Sequence, residues 1–346
     1  MIPDGRVDPP ADVVLDVTDL SIAFPTDEGL LQAVSGLSFQ ARLGRTLAIV
    51  GESGSGKTVA SMAVLGLHDP RRTRISGSIR LEGEEVVGAP EWMLQALRST
   101  TAAMVFQDPL SALHPFHKVG RQIAEAYRAH HPVSKAVAQR RAVEMLDRVG
   151  IPNPHRRANQ FPHEFSGGMR QRAMIALGLV NNPRLLIADE PTTALDVTVQ
   201  AQILDLLGDL RREFGSAVIL ITHDLAVVAE TADDLLVMYA GRAVEQGPAR
   251  QVLGRPSHPY TEALLQSLPS PSADLGLLRT IPGNPPSLLA PPPGCAFHPR
   301  CVFSDRVGAP CRTEVPAWRA APGESHRHVR CHLEDPVTAI DAGGLR

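Results

Sequence analysis

Residues 46–58, TLAIVGESGSGKT, decide the fold. Leu47 to Val50 form a short, continuous apolar run, the pattern of a strand covered on both faces. Gly51-Glu52-Ser53-Gly54-Ser55-Gly56-Lys57-Thr58 follows and matches GxxxxGK[ST]. The stretch after it, KTVASMAVLGL, reads as a helix. This order suits a phosphate group: glycines let successive backbone N–H groups turn inward, and the helix points its positive end at the same charge. Lys57 is placed to reach the β- and γ-phosphates, and the Thr58 hydroxyl to ligate Mg²⁺. Gly51, Ser53, Gly54, Ser55, Gly56, Lys57 and Thr58 are therefore the expected lining of a nucleotide site.

The complementary half lies at Leu185-Leu186-Ile187-Ala188-Asp189-Glu190. Two adjacent carboxylates at the end of an apolar strand are costly unless something cationic receives them. Asp189 is the natural outer partner of Mg²⁺, and Glu190 is positioned to orient or deprotonate a water attacking the γ-phosphate. Together the two motifs point to a nucleoside triphosphatase. A third segment, Phe165-Ser166-Gly167-Gly168-Met169-Arg170-Gln171-Arg172, builds an anion-receptive helix start, with Ser166 as N-cap and Gly167 and Gly168 exposing backbone donors.

Working outward, residues 12–50 contain short β-rich runs, with Thr26-Asp27-Glu28-Gly29 as a turn, and residues 75–87 read as a hairpin. Residues 91 to about 165 read as mostly helical, notably EAYRAH and KAVAQRRAVEMLDRVGI. RLLIADE and SAVILITHD are central-strand signals, separated by the helical VTVQAQILDLLGDLRREF. The expected class is α/β: a phosphate-loop NTPase core with an antiparallel β subdomain and a helical subdomain.

The chain has 346 residues, enough for about two domains at roughly 150 residues each. Hydrophobic residues are 43% and charged residues 21%, which excludes the disordered class. With 34 Lys plus Arg against 37 Asp plus Glu, the net charge of -3 gives no support to binding nucleic acid by bulk charge. No apolar run approaches the ~18–20 residues of a membrane span, and MIPDGRVDPP has no apolar signal core, so a soluble, cytosolic chain is expected. Thirteen of the 30 prolines fall between residues 255 and 316, and all four cysteines lie from Cys295 to Cys331. Residues 1–11 are expected to be a disordered lead-in, 12–254 an ATPase domain, and 255–346 a small Cys/Pro-rich C-terminal domain.

The order phosphate loop, Gln107, SGG, Asp-Glu, His223 resembles the ATP-binding subunit of ABC transporters, and the resemblance covers nearly the whole chain. It implies that Phe24 stacks on adenine, and that the Gln107 loop contacts Mg²⁺ and the membrane subunit. It also implies that Ser166, Gly167 and Gly168 cap the ATP of an opposite subunit, that Ala194-Leu195-Asp196 crosses the dimer, and that His223 holds the γ-phosphate. Met169 departs from the pattern, where the signature usually carries Gln. Taken singly, Phe24 can be strand core, Gln107 a solvated amide, His223 a strand-end histidine, and Asp196 an N-cap.

FSGGMRQR, ADEPTTALDVTVQ, HPYTEALLQSLPSP and IPGNPPSLLAPPPGCAFHPRC are similar to importer ATPases of the oligopeptide/dipeptide type, which include some nickel importers. The resemblance implies ATP hydrolysis that powers peptide import at the cytoplasmic face of the membrane. The partners it implies are a second, paralogous ATPase, two transmembrane permeases and an extracytoplasmic peptide-binding protein. The competing reading is a soluble ABC-type ATPase acting on nucleic acid or ribosomes. Cys295-x5-Cys301-x9-Cys311-x19-Cys331 clusters as a metal site would in a cytosolic protein. Four thiolates suit a [4Fe–4S] cluster, which the resemblance also implies. Zn²⁺ with help from His298, His326, His328 or His332, and unmetallated thiols, are the alternatives.

Overall fold

The computed structural model describes residues 10–193, 195–267 and 281–342. Two long strands, β1 (Val13–Thr26) and β2 (Gly29–Arg42), pair antiparallel across the turn at Asp27 and Glu28. Then come β3 (Thr46–Val50), α1 (Lys57–Val64), β4 (Arg74–Leu81) and β5 (Glu84–Glu85). The hairpin expected at 75–87 is β4–β5. It closes an antiparallel sheet of order β2-β1-β4-β5, whose inward Leu15, Val17, Leu20, Ile22 and Ile79 pack with the apolar face of α1.

The next segment contains α2 (Glu91–Leu97), β6 (Ala102–Val105), α3 (Pro109–Ala112), α4 (Val119–His130), α5 (Lys135–Arg148), α6 (Pro154–Arg157) and α7 (Gly167–Leu179). β6 was not expected in this stretch. Its four residues, AAMV, are too few to display a period, and the surrounding helical pattern hides a strand buried along its whole length. The long helices follow their sequence pattern. Ile123, Ala138, Ala142, Met145 and Leu146 share one buried core with Met174 and Ile175 of α7.

The remaining core elements are β7 (Leu185–Asp189), α8 (Val197–Phe214), β8 (Ala217–Ile221), α9 (Leu225–Thr231), β9 (Asp234–Tyr239) and β10 (Arg242–Pro248). They are followed by α10 (Ala249–Gly254), α11 (Pro259–Gln266), α12 (Ser304–Val307), α13 (Ala309–Thr313), β11 (Arg319–Ala321), β12 (Glu324–Val329) and α14 (Pro336–Ala342). The second sheet runs β11-β12-β10-β9-β3-β8-β7-β6. Its five strands from β9 to β6 are parallel, while β10, β12 and β11 add on antiparallel. The C-terminal segment therefore donates two strands to the edge of the core sheet. Its junction is held by Glu245 of β10, which is fully buried. Its carboxylate accepts from the Ser257 N–H (2.7 Å), the His258 N–H (3.0 Å) and Arg327 Nη2 (2.9 Å). A buried carboxylate is tolerated only when each lone pair is met in this way.

Candidate nucleotide site

Parallel pairing brings the carboxyl ends of β3, β8, β7 and β6 to one edge, in that order. The residues that follow those ends are the phosphate loop, His223, Asp189 with Glu190, and Gln107. Such an edge is where open α/β sheets bind ligands. Residues from Gly51 to His223 thus meet because strands in register end at a common level: Ile49 lies beside Ile221, Asp189 beside Ile221, and Val105 beside Ala188.

The phosphate loop holds its shape through close backbone approach. Gly56 has φ 98°, and a Cβ there would lie 2.4 Å from the Ala33 carbonyl oxygen, so only glycine fits. No side chain caps α1, which leaves its first N–H groups directed at the loop. Lys57 is buried, and its Nζ donates to the carbonyls of Gly51 (2.8 Å) and Glu52 (3.0 Å). Burial lowers the Lys57 pKa, while the nearby Glu190, Asp189 and Glu52 carboxylates oppose that shift. The ammonium is folded over its own loop on neutral acceptors that a triphosphate would replace.

Asp189 lies at the buried end of β7, close enough to Thr58 for its hydroxyl to favour the charged carboxylate. Burial raises its pKa, Thr58 lowers it, and the neighbouring Glu190 raises it again. A buried carboxylate beside a hydroxyl is a set of hard oxygen donors that fits Mg²⁺. Glu190 leaves the strand with φ 45°, a left-handed conformation uncommon for a side chain of its size and found where function imposes it. Its carboxylate accepts from Gln107 Nε2 (3.1 Å) and Thr193 Oγ1 (2.9 Å), and its other oxygen faces His223 Nδ1 at 3.5 Å. The expected Glu190, His223 and Gln107 are thus brought together. Thr193 was not anticipated, because nothing in ADEPTTALD distinguishes it from its neighbour Thr192.

The remaining expected contributors make other contacts. Phe24 is half-buried on β1, opposite Leu31, with its ring edge-on to His68 at 5.7 Å. His68 in turn bonds the Val59 carbonyl of α1 at 2.8 Å, so Phe24 lies at the seam between the antiparallel sheet and that helix. Ser166 caps α7, accepting from the Met169 N–H at 3.4 Å. A Cβ at Gly167 or Gly168 would meet Leu195 or Val199, not the chain's own phosphate loop. Asp196 caps α8 through the Val199 N–H at 3.0 Å, which is its N-cap reading. Ala194 lies outside the described residues.

The four cysteines converge. Cys295, Cys301, Cys311 and Cys331 line one small pocket together with His258, His298 and His332. Burial raises every one of these thiols, Cys301 and Cys331 to about 12. His326 and His328, offered as further ligands, lie elsewhere, along a groove beside Trp318. Nonetheless, among the described residues no group of three or more His, Cys, Asp or Glu closes into an arrangement that could hold a metal ion. The sulfurs share one pocket without closing on a single ion in this structure.

A parallel sheet that delivers a phosphate loop, an acidic strand end, a histidine and a glutamine to one edge defines an ATP-hydrolysing cassette. Residues 34–193 match the ABC transporter family, and residues 244–307 match the oligopeptide/dipeptide transporter, C-terminal region. The oligopeptide transport ATP-binding protein OppD of Salmonella typhimurium is 49% identical, over 91% of this chain and 92% of that protein. OppD of Bacillus subtilis is 50% identical over 85% of this chain and 83% of its own length. Among solved structures, the dimeric bacterial ABC transporter cassette MJ0796 superposes with a TM-score of 0.61 at 25% identity, covering 68% of this chain and 99% of the cassette. The chain belongs to the oligopeptide/dipeptide family of ABC transporter ATP-binding proteins, and it is an ATPase. Among the described residues no helix is long and apolar enough to cross a membrane.

Proposed function

We propose that this chain is the ATP-hydrolysing subunit that powers import of di- or oligopeptides, working peripherally at the cytoplasmic face of the membrane. Its partners are two transmembrane permeases, a second and paralogous ATPase, and indirectly an extracytoplasmic peptide-binding protein. One combination carries this reading: Glu190, His223 and Gln107 gathered beside a phosphate loop, in the same chain as a C-terminal region of the oligopeptide/dipeptide type. The names of the relatives favour it over a soluble ATPase acting on nucleic acid or ribosomes. Residues 12–254 serve as the ATPase domain and 255–346 as its C-terminal module.

In this mechanism Phe24 stacks on the adenine, and backbone donors from Gly51 to Thr58 cradle the phosphates. Lys57 moves from its carbonyl acceptors onto the β- and γ-phosphates. Thr58, Asp189 and Gln107 would hold Mg²⁺, which when bound offsets charge on the β- and γ-oxygens. Glu190 orients the attacking water and accepts its proton, and His223 steadies the γ-phosphate. Ser166, Gly167 and Gly168 act on the ATP held by the second ATPase, so each hydrolytic site is completed only in the pair. The Gln107 loop and the helical subdomain, about 91–165, pass that closure to the permeases.

The four cysteines would hold a [4Fe–4S] cluster, with Zn²⁺ as the alternative. Four sulfur donors at one pocket support this chemically, and its contribution would be to staple a Pro-rich segment with little core of its own. Co-purification followed by reconstitution tests the whole reading. The chain should associate with permeases and a second ATPase, and peptide-loaded binding protein should raise ATP turnover in vesicles. Turnover indifferent to permease and peptide, with association abolished by nuclease, would overturn it.

A further inference from the structure

The second residue of the phosphate loop is held from outside the ATPase core. Glu52 follows Gly51 directly, and its carboxylate is gripped by both terminal nitrogens of Arg300: Nη1 to Oε2 at 2.7 Å and Nη2 to Oε1 at 3.0 Å. The Glu52 backbone N–H donates to the Tyr260 hydroxyl at 2.9 Å, and the Glu52 carbonyl accepts from Lys57 Nζ at 3.0 Å. Three groups thus fix one residue of the loop. Two of them, Arg300 and Tyr260, come from the C-terminal module. Both are in turn held rigidly. Arg300 Nε donates to the Pro282 carbonyl at 2.8 Å and its Nη1 also donates to the Tyr239 hydroxyl at 3.2 Å. Tyr260 packs at 4.6 Å from Tyr239 and 5.3 Å from Phe297.

The arrangement has an electrostatic purpose. An unpaired carboxylate at the rim of a triphosphate site repels the ligand it borders. The Arg300 side chain is 6% exposed and that of Glu52 22%, so the pair is poorly screened and its bidentate geometry is of the strong kind. A planar fork also sets direction, which a lone ammonium does not.

We propose that Arg300 and Tyr260 are positioning residues of the ATP site: the C-terminal module, acting in the same chain, neutralises Glu52 and holds the phosphate loop in its nucleotide-receptive form. This rests on the loop being the ATP site, and it assigns to the C-terminal module a direct part in nucleotide affinity. Arg300 lies in the short turn between Cys295 and Cys301, so the cysteine pocket and the phosphate loop are joined through one side chain.

The test is ATP binding and hydrolysis by the full chain. Arg300→Gln leaves Glu52 unpaired, and Kd and KM for ATP should rise ~10- to 100-fold, with kcat little changed, the signature of lost ground-state binding. Adding Glu52→Gln should recover most of the affinity, because the second change removes the stranded charge. Damage to the C-terminal module in general would not be repaired by a substitution in the phosphate loop. Arg300→Lys should fall between, keeping charge and losing the fork. Should Arg300→Gln fail to fold, Tyr260→Phe decides: it keeps the ring packing and removes only the acceptor for the Glu52 N–H. A ~3-fold or larger loss of affinity is then expected. Parent-like affinity in a folded Arg300→Gln or Tyr260→Phe chain, or no recovery in the double variant, overturns the assignment. A parent chain that binds no ATP would overturn the site itself, and this assignment with it.

Discussion

Replacing Glu190 by Gln isolates the chemical step from binding. The amide has the same shape, and its remaining oxygen can still accept from Gln107 or Thr193, so the local geometry is preserved. Two things change. The site loses the group that takes the proton of the attacking water, a contribution of ~10²- to 10⁴-fold in rate, or roughly 2.7–5.5 kcal/mol of barrier. It also loses one negative charge close to where the phosphates sit. Glu190 is the carboxylate that acts most strongly on Lys57, ahead of Asp189 and Glu52. Removing it lessens repulsion toward a triphosphate. The expected outcome is therefore asymmetric: ATP affinity equal to or tighter than the parent's, with turnover down by at least ~100-fold. Equilibrium binding of a fluorescent ATP analogue reads the first quantity, and phosphate release by the assembled ATPase pair reads the second. Turnover within about tenfold of the parent, with a folded chain, would refute the assignment of Glu190 as base, since a positioned base contributes more than that.

Gly168→Val should separate the two halves of the split site. A Cβ at Gly168 would come within 2.8 Å of Val199 Cγ1, so α7 must shift its first turn against α8. ATP binding by the isolated chain should persist, while hydrolysis by the assembled pair falls by ~10²-fold as a backbone donor is displaced; equal losses in both assays would contradict a trans role. His258 offers a test by pH. Burial depresses its pKa to about 3 from an ordinary 6.5, so the unfolded chain binds the extra proton. Its stabilising contribution is complete above pH 6.5 and drains away as pH falls toward about 3, with a slope of at most ~1.4 kcal/mol per pH unit. His258→Asn keeps an N-cap for α11 and should flatten the pH dependence of thermal unfolding between pH 7 and 5 relative to the parent; parallel curves would contradict this. Anaerobic purification should yield a brown chain containing iron and sulfide, lost on Cys→Ser substitution at Cys301 or Cys331. A colourless preparation with zinc would replace the cluster by its alternative, and a metal-free one would leave four unmetallated thiols.

The phosphate loop was legible because its chemistry is local: eight consecutive residues supply glycines, lysine and hydroxyl, and the strand and helix on either side follow from short-range pattern. Asp189 and Glu190 were legible for the same reason, as charges ending an apolar run. β6 was not, since four residues carry no period and its identity as a strand comes only from lying beside β7. Thr193 was hidden because its role depends on the left-handed turn at Glu190, which aims the two side chains at each other. The cysteines were readable as a cluster but not as a geometry. Spacing brings four sulfurs to one pocket, whereas a coordination shell depends on side-chain directions that spacing does not encode.

The hardest features to read were charges paired across long separations, and they share a logic. Glu52 and Arg300 are 248 positions apart, and Glu245 and Arg327 are 82 apart. Each pair joins the segment before residue 255 to the segment after it. A buried pair gains little net stability over apolar residues of the same volume, yet losing one partner costs ~3–5 kcal/mol because the other is stranded. Such pairs therefore act as alignment pins: wrong docking of the C-terminal module leaves two carboxylates without their cationic partners, while correct docking satisfies both at once. Glu245 pins strands β10 and β12 in register. Glu52 pins the module to the phosphate loop itself. A segment that merely hung from the ATPase would need neither. The placement of one pin inside the nucleotide-binding loop, rather than at any of the many exposed charges of the core, is the reason to treat the C-terminal module as part of the ATP site.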